Sequence, residues 1–222
     1  MSPSARKAAA ITAVAGVALV LALGFLVRLE IIAEEIDGEW MEEIIDLRAL
    51  HWDVSSQALH FVGGGWFAFL LVPLCGAVVL LLLRRPWSAL AFVLALYITA
   101  GVAHLLKWSF GRTRPEQILV QAESAAFPSG HAAHAASLAV ALALVIARWQ
   151  AVVVGAIYVL LMSLSRTYLG AHWISDTVGG ALLGASVALA VWAVFSPRID
   201  SERDATGLQG LADVGTAEEA ER

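Results

Sequence analysis

Long apolar stretches alternate with short polar ones along almost the whole chain. An α-helix of about 20 apolar residues spans the roughly 30 Å hydrocarbon layer of a bilayer, and six of the stretches approach or exceed that length. We therefore expect an all-α fold, an integral membrane bundle of six helices. The predicted spans lie at about residues 8–27, 57–83, 87–108, 130–147, 150–166 and 173–195.

The composition supports one membrane domain. Hydrophobic residues make up 59% of the 222 residues and charged residues only 15%, which is unusual for a soluble protein. The first apolar stretch reaches spanning length without a small-residue cleavage site, so we interpret it as a retained helix and not as a signal peptide. We assign residues 1–197 to the membrane domain. Residues 198–222 are polar, and we predict a disordered cytoplasmic tail there.

Basic residues in the short connections predict the orientation, because such residues favour the cytoplasmic side. They occur before the first predicted span, between the second and third, between the fourth and fifth, and after the sixth: Arg6, Lys7, Arg84, Arg85, Arg148 and Arg198. This pattern places both termini in the cytoplasm. The longer connections, 28–56 and 109–129, then lie outside.

The external connector at about 29–55 is strongly acidic. It carries nine acidic residues from Glu30 to Asp53 and a single arginine. Its apolar positions recur at helical spacing, which predicts an amphipathic helix in the outer interface of the membrane. Two interpretations stay open for this segment, a solvated connector with one apolar face or a gate for substrate.

Three polar clusters interrupt the apolar pattern, at 107–115, 128–131 and 165–176. No span separates the first from the second, and two spans separate the second from the third, so all three reach the outer face. An ionised side chain at the bilayer centre costs about 2.5–3.5 kcal/mol or more. Lys107, Arg114 and Arg166 should therefore meet at helix ends or in a wet cavity. Three cations held together imply a polyanion, and phosphate fits them best.

The second and third clusters add reactive groups to this anion site. The predicted helix at 130–147 begins at the outer face, where unpaired amides attract an anion. Ser129 can cap that helix or donate to the anion, and Gly130 allows a phosphate oxygen to approach the backbone. His131 would lie beside the bound group. His172 and Asp176 share a helical face, so the carboxylate can hold one ring nitrogen and leave Nε2 as a nucleophile.

The three clusters together resemble the signature of a known family. A lysine, six residues and Arg-Pro at 107–115, PSGH at 128–131, and Ser-Arg, five residues, His, three residues and Asp at 165–176 are similar to the motifs of the type 2 phosphatidic acid phosphatases, or lipid phosphate phosphatases. Every signature position is present. The short chain resembles the compact bacterial members of this family, which implies six spans with the motifs on the last four.

The resemblance implies metal-independent hydrolysis of a phosphomonoester or pyrophosphate through a phosphohistidine, with no cofactor. His172 would be the nucleophile and Asp176 would stabilise its imidazolium. His131 would protonate the leaving oxygen and then activate water. The phosphate would be held by Lys107, Arg114, Ser129, Gly130 and Arg166. His134, His104 and Arg112 are candidates for a supporting role, against the simpler interpretation of polar lining or contact with the lipid surface.

The predicted partners are a lipid phosphate substrate and membrane lipids, and no nucleic acid is expected. A site at the outer boundary of a bacterial plasma membrane suits undecaprenyl pyrophosphate, phosphatidylglycerol phosphate or phosphatidic acid, with the first slightly favoured.

Three alternatives remain at this stage. A metal-dependent hydrolase would need His104, His131, His134 and His172 to assemble, although the clustered Lys and Arg side chains would repel a divalent cation. The vanadium haloperoxidases share a similar anion-site signature but are soluble. A non-catalytic lipid-binding or transport protein would be expected to lack one of the two histidines of the signature.

Overall fold

The computed structural model describes residues 2–31, 33–48, 50–121 and 125–205. Every regular element within these ranges is helical, which confirms the all-α prediction for them. Two π-helical turns, Ala33–Gly38 and Phe67–Leu71, join α-helices. The α-helices are α1 (Pro3–Arg28), α2 (Glu39–Asp46), α3 (Leu50–Gly63), α4 (Val72–Leu82), α5 (Pro86–Phe110), α6 (Gly130–Ile146), α7 (Trp149–Tyr168) and α8 (Ile174–Ala205).

Four of these helices, α1, α5, α7 and α8, are long and apolar enough to cross a membrane. Helices α3 and α4 are bent by 42° relative to each other, and together they are also long and apolar enough to cross a membrane. The described residues therefore hold four spanning helices, or five spans if this bent pair counts as one. Helix α6 is apolar but has 17 residues, or about 25 Å at a rise of about 1.5 Å per residue. That length is at the lower limit for a span. The protein is therefore an integral membrane protein, while the sixth span and the side of the termini stay predictions.

The span predicted at 57–83 is not one continuous helix. The sequence Gly63-Gly64-Gly65 begins at the last residue of α3 and leads to the turn before α4, and Gly65 has a φ of +54°. Glycine adopts this left-handed conformation at no steric cost, whereas a residue with a Cβ is strained there. The glycines therefore allow the bend, and the bend brings the end of α3 towards α6.

Helix α8 lies at the centre of the bundle, where it packs along α1, α5 and α6. Glycines on α8 make the contact with α6 very close. A Cβ at Gly180 would collide with the carbonyl oxygen of Ser129, and a Cβ at Gly184 would collide with that of Ala133. This close packing holds the start of α6 beside the start of α8, and so joins the second polar cluster to the third.

Helix α8 extends past the predicted end of the last span, through Pro197 and on to Ala205. Proline removes one helical hydrogen bond, and the hydroxyl of Ser196 compensates by donating to the carbonyl of Ala193 at 3.1 Å. The carboxylate of Glu202 then accepts from the backbone and hydroxyl of Ser88 at 3.0 Å each, at the start of α5. Residues 198–205, predicted to belong to a disordered tail, are thus helical. Residues 206–222 lie outside the described residues.

Candidate active site

The three polar clusters meet at one cavity of about 230 Å³ between the ends of the helices. Six of the eight residues predicted to act in catalysis or phosphate binding line it: Lys107, Arg114, Gly130, His131, Arg166 and His172. The other two lie directly behind these, Ser129 at the start of α6 and Asp176 beside His172. The remaining lining consists of His60, Gly63, Phe69, Val120, Gln121 and Ala171. The structure therefore brings together three cations and three imidazoles around one small cavity.

A larger groove of about 630 Å³ lies between α6, α7 and α8. Its lining is almost entirely apolar and contains no titratable side chain. Hydrolysis of a phosphate ester needs charge and proton transfer, so the smaller polar cavity is the candidate active site.

Lys107 and Arg114 both hold the loop that leads to α6. The Nζ of Lys107, in the last turn of α5, donates to the carbonyls of Ala125 at 2.5 Å and Ala126 at 3.2 Å. Arg114 donates to the carbonyls of Ala125 at 3.3 Å and of Ala171. Burial lowers the pKa of Arg114, but a guanidinium stays protonated in proteins. Both side chains thus place a positive charge at the cavity wall, and their hydrogen bonds also hold the loop before α6 in position.

Arg166 is the third cation, and it is almost completely buried in the last turn of α7. A cation at this end of a helix is favoured by the helix dipole. Its carbonyl accepts from the backbone amides of Ala171 at 3.0 Å and His172 at 3.3 Å. Arg166 therefore positions the residue predicted to be the nucleophile through its backbone and lines the cavity with its side chain.

The start of α6 has the capped and open backbone that the sequence predicts for an anion site. Ser129 is fully buried and caps the helix, since its Oγ accepts from the amide of Ala132 at 3.4 Å. Its own amide donates to the carbonyl of Asp176 at 2.9 Å, which ties α6 to α8. A Cβ at Gly130 would meet nothing within 4 Å, so its backbone borders open space. Of the two roles considered for Ser129, the structure shows the capping role, and Gly130 is the residue that a ligand can approach.

His172 lies against Asp176 as the spacing predicts. Its Nδ1 is 3.5 Å from Oδ2 of Asp176, somewhat longer than an ordinary hydrogen bond of about 2.7–3.2 Å. The carboxylate is itself fixed, because Oδ2 accepts from the amide of Trp173 at 2.9 Å and Oδ1 from Arg112 at 2.5 Å. A small rotation of the imidazole would complete the bond to Asp176.

His172 lines the cavity, and its other ring nitrogen, Nε2, lies 3.3 Å from Nη1 of Arg114. Burial lowers the pKa of His172 well below its ordinary value of 6.5, and the nearby charges of Lys107, Arg114 and Arg166 lower it further. His172 is therefore neutral at physiological pH, which is the form in which an imidazole acts as a nucleophile.

His131 is paired with His60, a residue that the sequence reasoning missed. The two rings stack with centroids 5.1 Å apart, and Nε2 of His131 is 3.2 Å from Nδ1 of His60. The same Nδ1 is 2.8 Å from Nη1 of Arg166. An arginine can only donate, so Nδ1 of His60 accepts from Arg166. Nε2 of His131 is also 3.2 Å from the backbone carbonyl of His60, which can only accept, so His131 carries a proton on Nε2. The available signal was a titratable ring inside a predicted span, which by itself favours a functional role.

The three candidates for a supporting role have different positions. His134 is buried one turn beyond His131, beside Phe69 at a centroid distance of 5.5 Å, and does not line the cavity. His104 is exposed on α5 and does not join the site. Arg112 lies behind the cavity, where it binds Asp176. No group of three His, Cys, Asp or Glu side chains suited to a metal ion occurs within the described ranges, so the four histidines of the metal-site alternative do not assemble there.

Comparison with known proteins yields one family. Residues 88–200, just over half of the chain, match the PAP2 superfamily. The decaprenylphosphoryl-5-phosphoribose phosphatase of Mycobacterium tuberculosis is 32% identical over 146 residues, which cover 65% of this chain and 81% of that protein. The phosphatidylglycerophosphatase B of Bacillus subtilis is 28% identical over 142 residues, covering 60% of this chain and 69% of that protein.

A solved structure has the same architecture. The crystal structure of the transmembrane PAP2-type phosphatidylglycerolphosphate phosphatase from Bacillus subtilis superposes with a TM-score of 0.72 at 22% identity. The aligned part covers 81% of this chain and 94% of that one. At this level of identity the likeness establishes the shared fold.

Proposed function

Because the chain belongs to the PAP2 superfamily, we propose that it is a membrane lipid phosphatase that works through a phosphohistidine on His172. It would hydrolyse the terminal phosphate or pyrophosphate of a lipid. The observation that carries the proposal is the single cavity lined by Lys107, Arg114 and Arg166 together with the imidazoles of His131 and His172. A compact anion with three or four oxygens matches this set of donors better than any other ligand class.

In the first step the three cations would hold the non-bridging oxygens of the phosphate and stabilise the charge that develops on them. Nε2 of His172 would attack phosphorus as the bond from phosphorus to the lipid oxygen breaks. His131, as an imidazolium, would give its proton to that oxygen. Asp176 would stabilise the positive charge of the phosphorylated ring through Nδ1, and the lipid alcohol or lipid monophosphate would leave.

In the second step water would attack the phosphorus of the phosphohistidine. His131, now neutral, would take a proton from the water, and the bond between phosphorus and Nε2 would break. This returns His172 to its neutral form, regenerates the imidazolium of His131 and releases inorganic phosphate. The positive charge that the step needs comes from side chains, so activity is expected to persist in excess chelator.

The substrate is proposed to be a lipid that ends in a phosphate group. Two of the similar proteins are named for lipids of different chemistry, a decaprenylphosphoryl sugar phosphate and phosphatidylglycerophosphate. This breadth leaves undecaprenyl pyrophosphate, phosphatidylglycerol phosphate and phosphatidic acid as candidates. With six spans and both termini in the cytoplasm, the cavity would face the outside of a bacterial plasma membrane, which favours the undecaprenyl carrier.

Phosphate release by the purified full-length protein tests the proposal. The protein in detergent micelles, with excess chelator, would be assayed against the three lipids, and His172→Ala would be compared with His104→Ala. We expect the wild type to release phosphate from at least one lipid and to be inhibited by vanadate. His172→Ala should lose this activity, and His104→Ala should keep it, since His104 is exposed outside the cavity. No release from any lipid by the wild type, or equal loss in both variants, would contradict it.

A further inference from the structure

The acidic connector sends one carboxylate into the bundle. Asp37 is fully buried, although its neighbours Ile36 and Glu39 are exposed. It accepts three bonds: from Nη2 of Arg112 at 2.5 Å, from the hydroxyl of Ser175 at 2.6 Å and from the amide of Ser175 at 3.0 Å. Asp37 and Ser175 are 138 residues apart in sequence. The contacts therefore attach the acidic connector directly to the start of α8, which carries Asp176 and follows His172 in the chain.

The bonds to Ser175 fix the first turn of α8. Amides in the first turn of a helix have no partner within the helix and need an external acceptor. Asp37 supplies that acceptor for Ser175, and its negative charge is favoured at a helix N-terminus. Asp176 follows Ser175 directly and lies in the same turn. The position of the Asp176 carboxylate thus depends on the contact that Asp37 makes.

The bond to Arg112 links the two carboxylates through one guanidinium. Nη2 of Arg112 binds Asp37 and Nη1 binds Asp176, each at 2.5 Å, and the Arg112 side chain is only 8% exposed. The indole of Trp173 covers the guanidinium at 5.5 Å from its ring centre. A planar guanidinium has fixed donor directions, so it holds the two carboxylates in a defined relation.

The charge of this buried trio matters for the reaction. Two carboxylates and one guanidinium leave one net negative charge beside His172. Without Asp37, Arg112 would neutralise Asp176 alone, and the pair would offer little stabilisation to an imidazolium. With Asp37 present, the positive charge of Arg112 is shared between the two carboxylates. Asp176 therefore keeps much of its negative potential at His172.

We infer that Asp37 is a positioning residue for the phosphatase reaction. Through Arg112 and Ser175 it orients the Asp176 carboxylate and preserves its charge, so that Asp176 can hold His172 and stabilise the phosphorylated ring. This inference rests on the proposed function of His172 and Asp176. It also gives the connector at about 29–55 a role that neither a solvated linker nor a gate provides.

The test compares Asp37→Asn with Asp46→Asn in the full-length protein. Asp46 makes a matched control because it is an exposed aspartate of the same segment, at the end of α2. The lipid phosphate that the wild type hydrolyses would be used to measure kcat, KM and the single-turnover rate of phosphoenzyme formation. We expect kcat and the single-turnover rate to fall about 10- to 100-fold in Asp37→Asn, by analogy with the loss of activity when a residue that orients a metal-binding histidine or carboxylate is removed. KM should change little, since Asp37 does not line the cavity, and Asp46→Asn should match the wild type.

A double-mutant cycle separates positioning from general stability. If Asp37 acts through Asp176, adding Asp37→Asn to Asp176→Asn should lower the residual single-turnover rate by less than about 2-fold, because the two effects are not independent. An equal loss in both backgrounds, or a rise in KM without a fall in kcat, would overturn the inference. If Asp37→Asn does not fold, Ser175→Ala removes the hydroxyl that donates to Asp37 at 2.6 Å and accepts from Arg112 at 2.7 Å, and the same dependence on Asp176 is expected.

The outcomes also separate this inference from the proposed function. A wild type that releases no phosphate from any lipid contradicts the proposed function itself. An active wild type with Asp37→Asn and Asp46→Asn both at its level leaves the proposed function standing and overturns only the role of Asp37.

Discussion

Replacing His60 by phenylalanine tests how the site orients its acid and its buried cation. Phenylalanine keeps an aromatic ring of similar size, so the stacking on His131 is retained. It removes Nδ1, the acceptor that lies 2.8 Å from Arg166 and 3.2 Å from His131. The substitution therefore removes the ring acceptor of Arg166 and one of the two His60 atoms close to Nε2 of His131, with little change in packing. The backbone carbonyl of residue 60, 3.2 Å from Nε2, can still accept from His131.

The expected loss follows from the charge of Arg166. A hydrogen bond to a charged group contributes about 1.5–3 kcal/mol. A free energy of about 1.4 kcal/mol corresponds to a factor of ten. If the hydrogen bond from Arg166 to His60 is needed to orient Arg166 in the transition state, its loss should lower kcat/KM by about 10- to 100-fold. The amide oxygen of asparagine can take the place of Nδ1, so His60→Asn should recover a large part of the activity that His60→Phe loses.

The assay is phosphate release by the purified protein over a range of lipid concentrations, with His104→Phe as the control. His104 is exposed on α5, and its replacement should leave kcat/KM unchanged. Two results would refute the reasoning. One is a His60→Phe variant as active as the wild type, which would mean that Arg166 and His131 need no orientation by His60. The other is equal loss in His60→Phe and His60→Asn.

Two further predictions concern the nucleophile and the helix contact. The pKa of His172 lies well below 6.5, so the single-turnover rate of phosphoenzyme formation should rise with pH only below about 6.5, where His172 loses its proton. A rise in this rate with a midpoint at or above 7 would contradict a buried neutral His172. A Cβ at Gly184 would collide with the Ala133 carbonyl, so Gly184→Ala should destabilise the bundle by about 1–3 kcal/mol. Gly101→Ala, on an exposed face of α5 with open space around the Cβ, should be neutral or slightly stabilising, and equal thermal unfolding of the two variants would contradict the close contact of α6 and α8.

The meeting of the motifs could be predicted because it depends only on counting membrane crossings. Parity places 107–115, 128–131 and 165–176 on one side, and the cost of burying charge requires Lys107 and Arg166 to share a polar cavity. The spacing of His172 and Asp176 likewise predicts their contact within a single turn. Such inferences need no knowledge of how the helices pack.

The roles of His60 and Asp37 could not be predicted in this way. His60 reaches the site because α3 packs against α6 and α7, and a Cβ at Gly64, at the break after α3, would collide with the ring of His131. Asp37 is one of nine acidic residues in the connector, and nothing in its local sequence indicates that its side chain is buried. Both contacts depend on tertiary packing between distant parts of the chain.

The end of α8 shows a local rule overridden by tertiary contacts. Proline at position 197 and the polar residues after it predict the end of the helix. The hydroxyl of Ser196 satisfies the carbonyl that Pro197 leaves without its helical donor, and Glu202 binds the amides that open α5. These bonds stabilise the extra turns, and they become visible only when the ends of α5 and α8 are seen together.

The most direct test of the central claim is to identify the phosphorylated residue. The wild type would be mixed with a lipid carrying a radiolabelled terminal phosphate and quenched in base within one turnover, and the labelled peptide would be sequenced. The phosphohistidine account predicts a base-stable, acid-labile label on His172, absent in His172→Ala and retained in His104→Ala. A label that persists in His172→Ala, or that lies on any other residue, would contradict it.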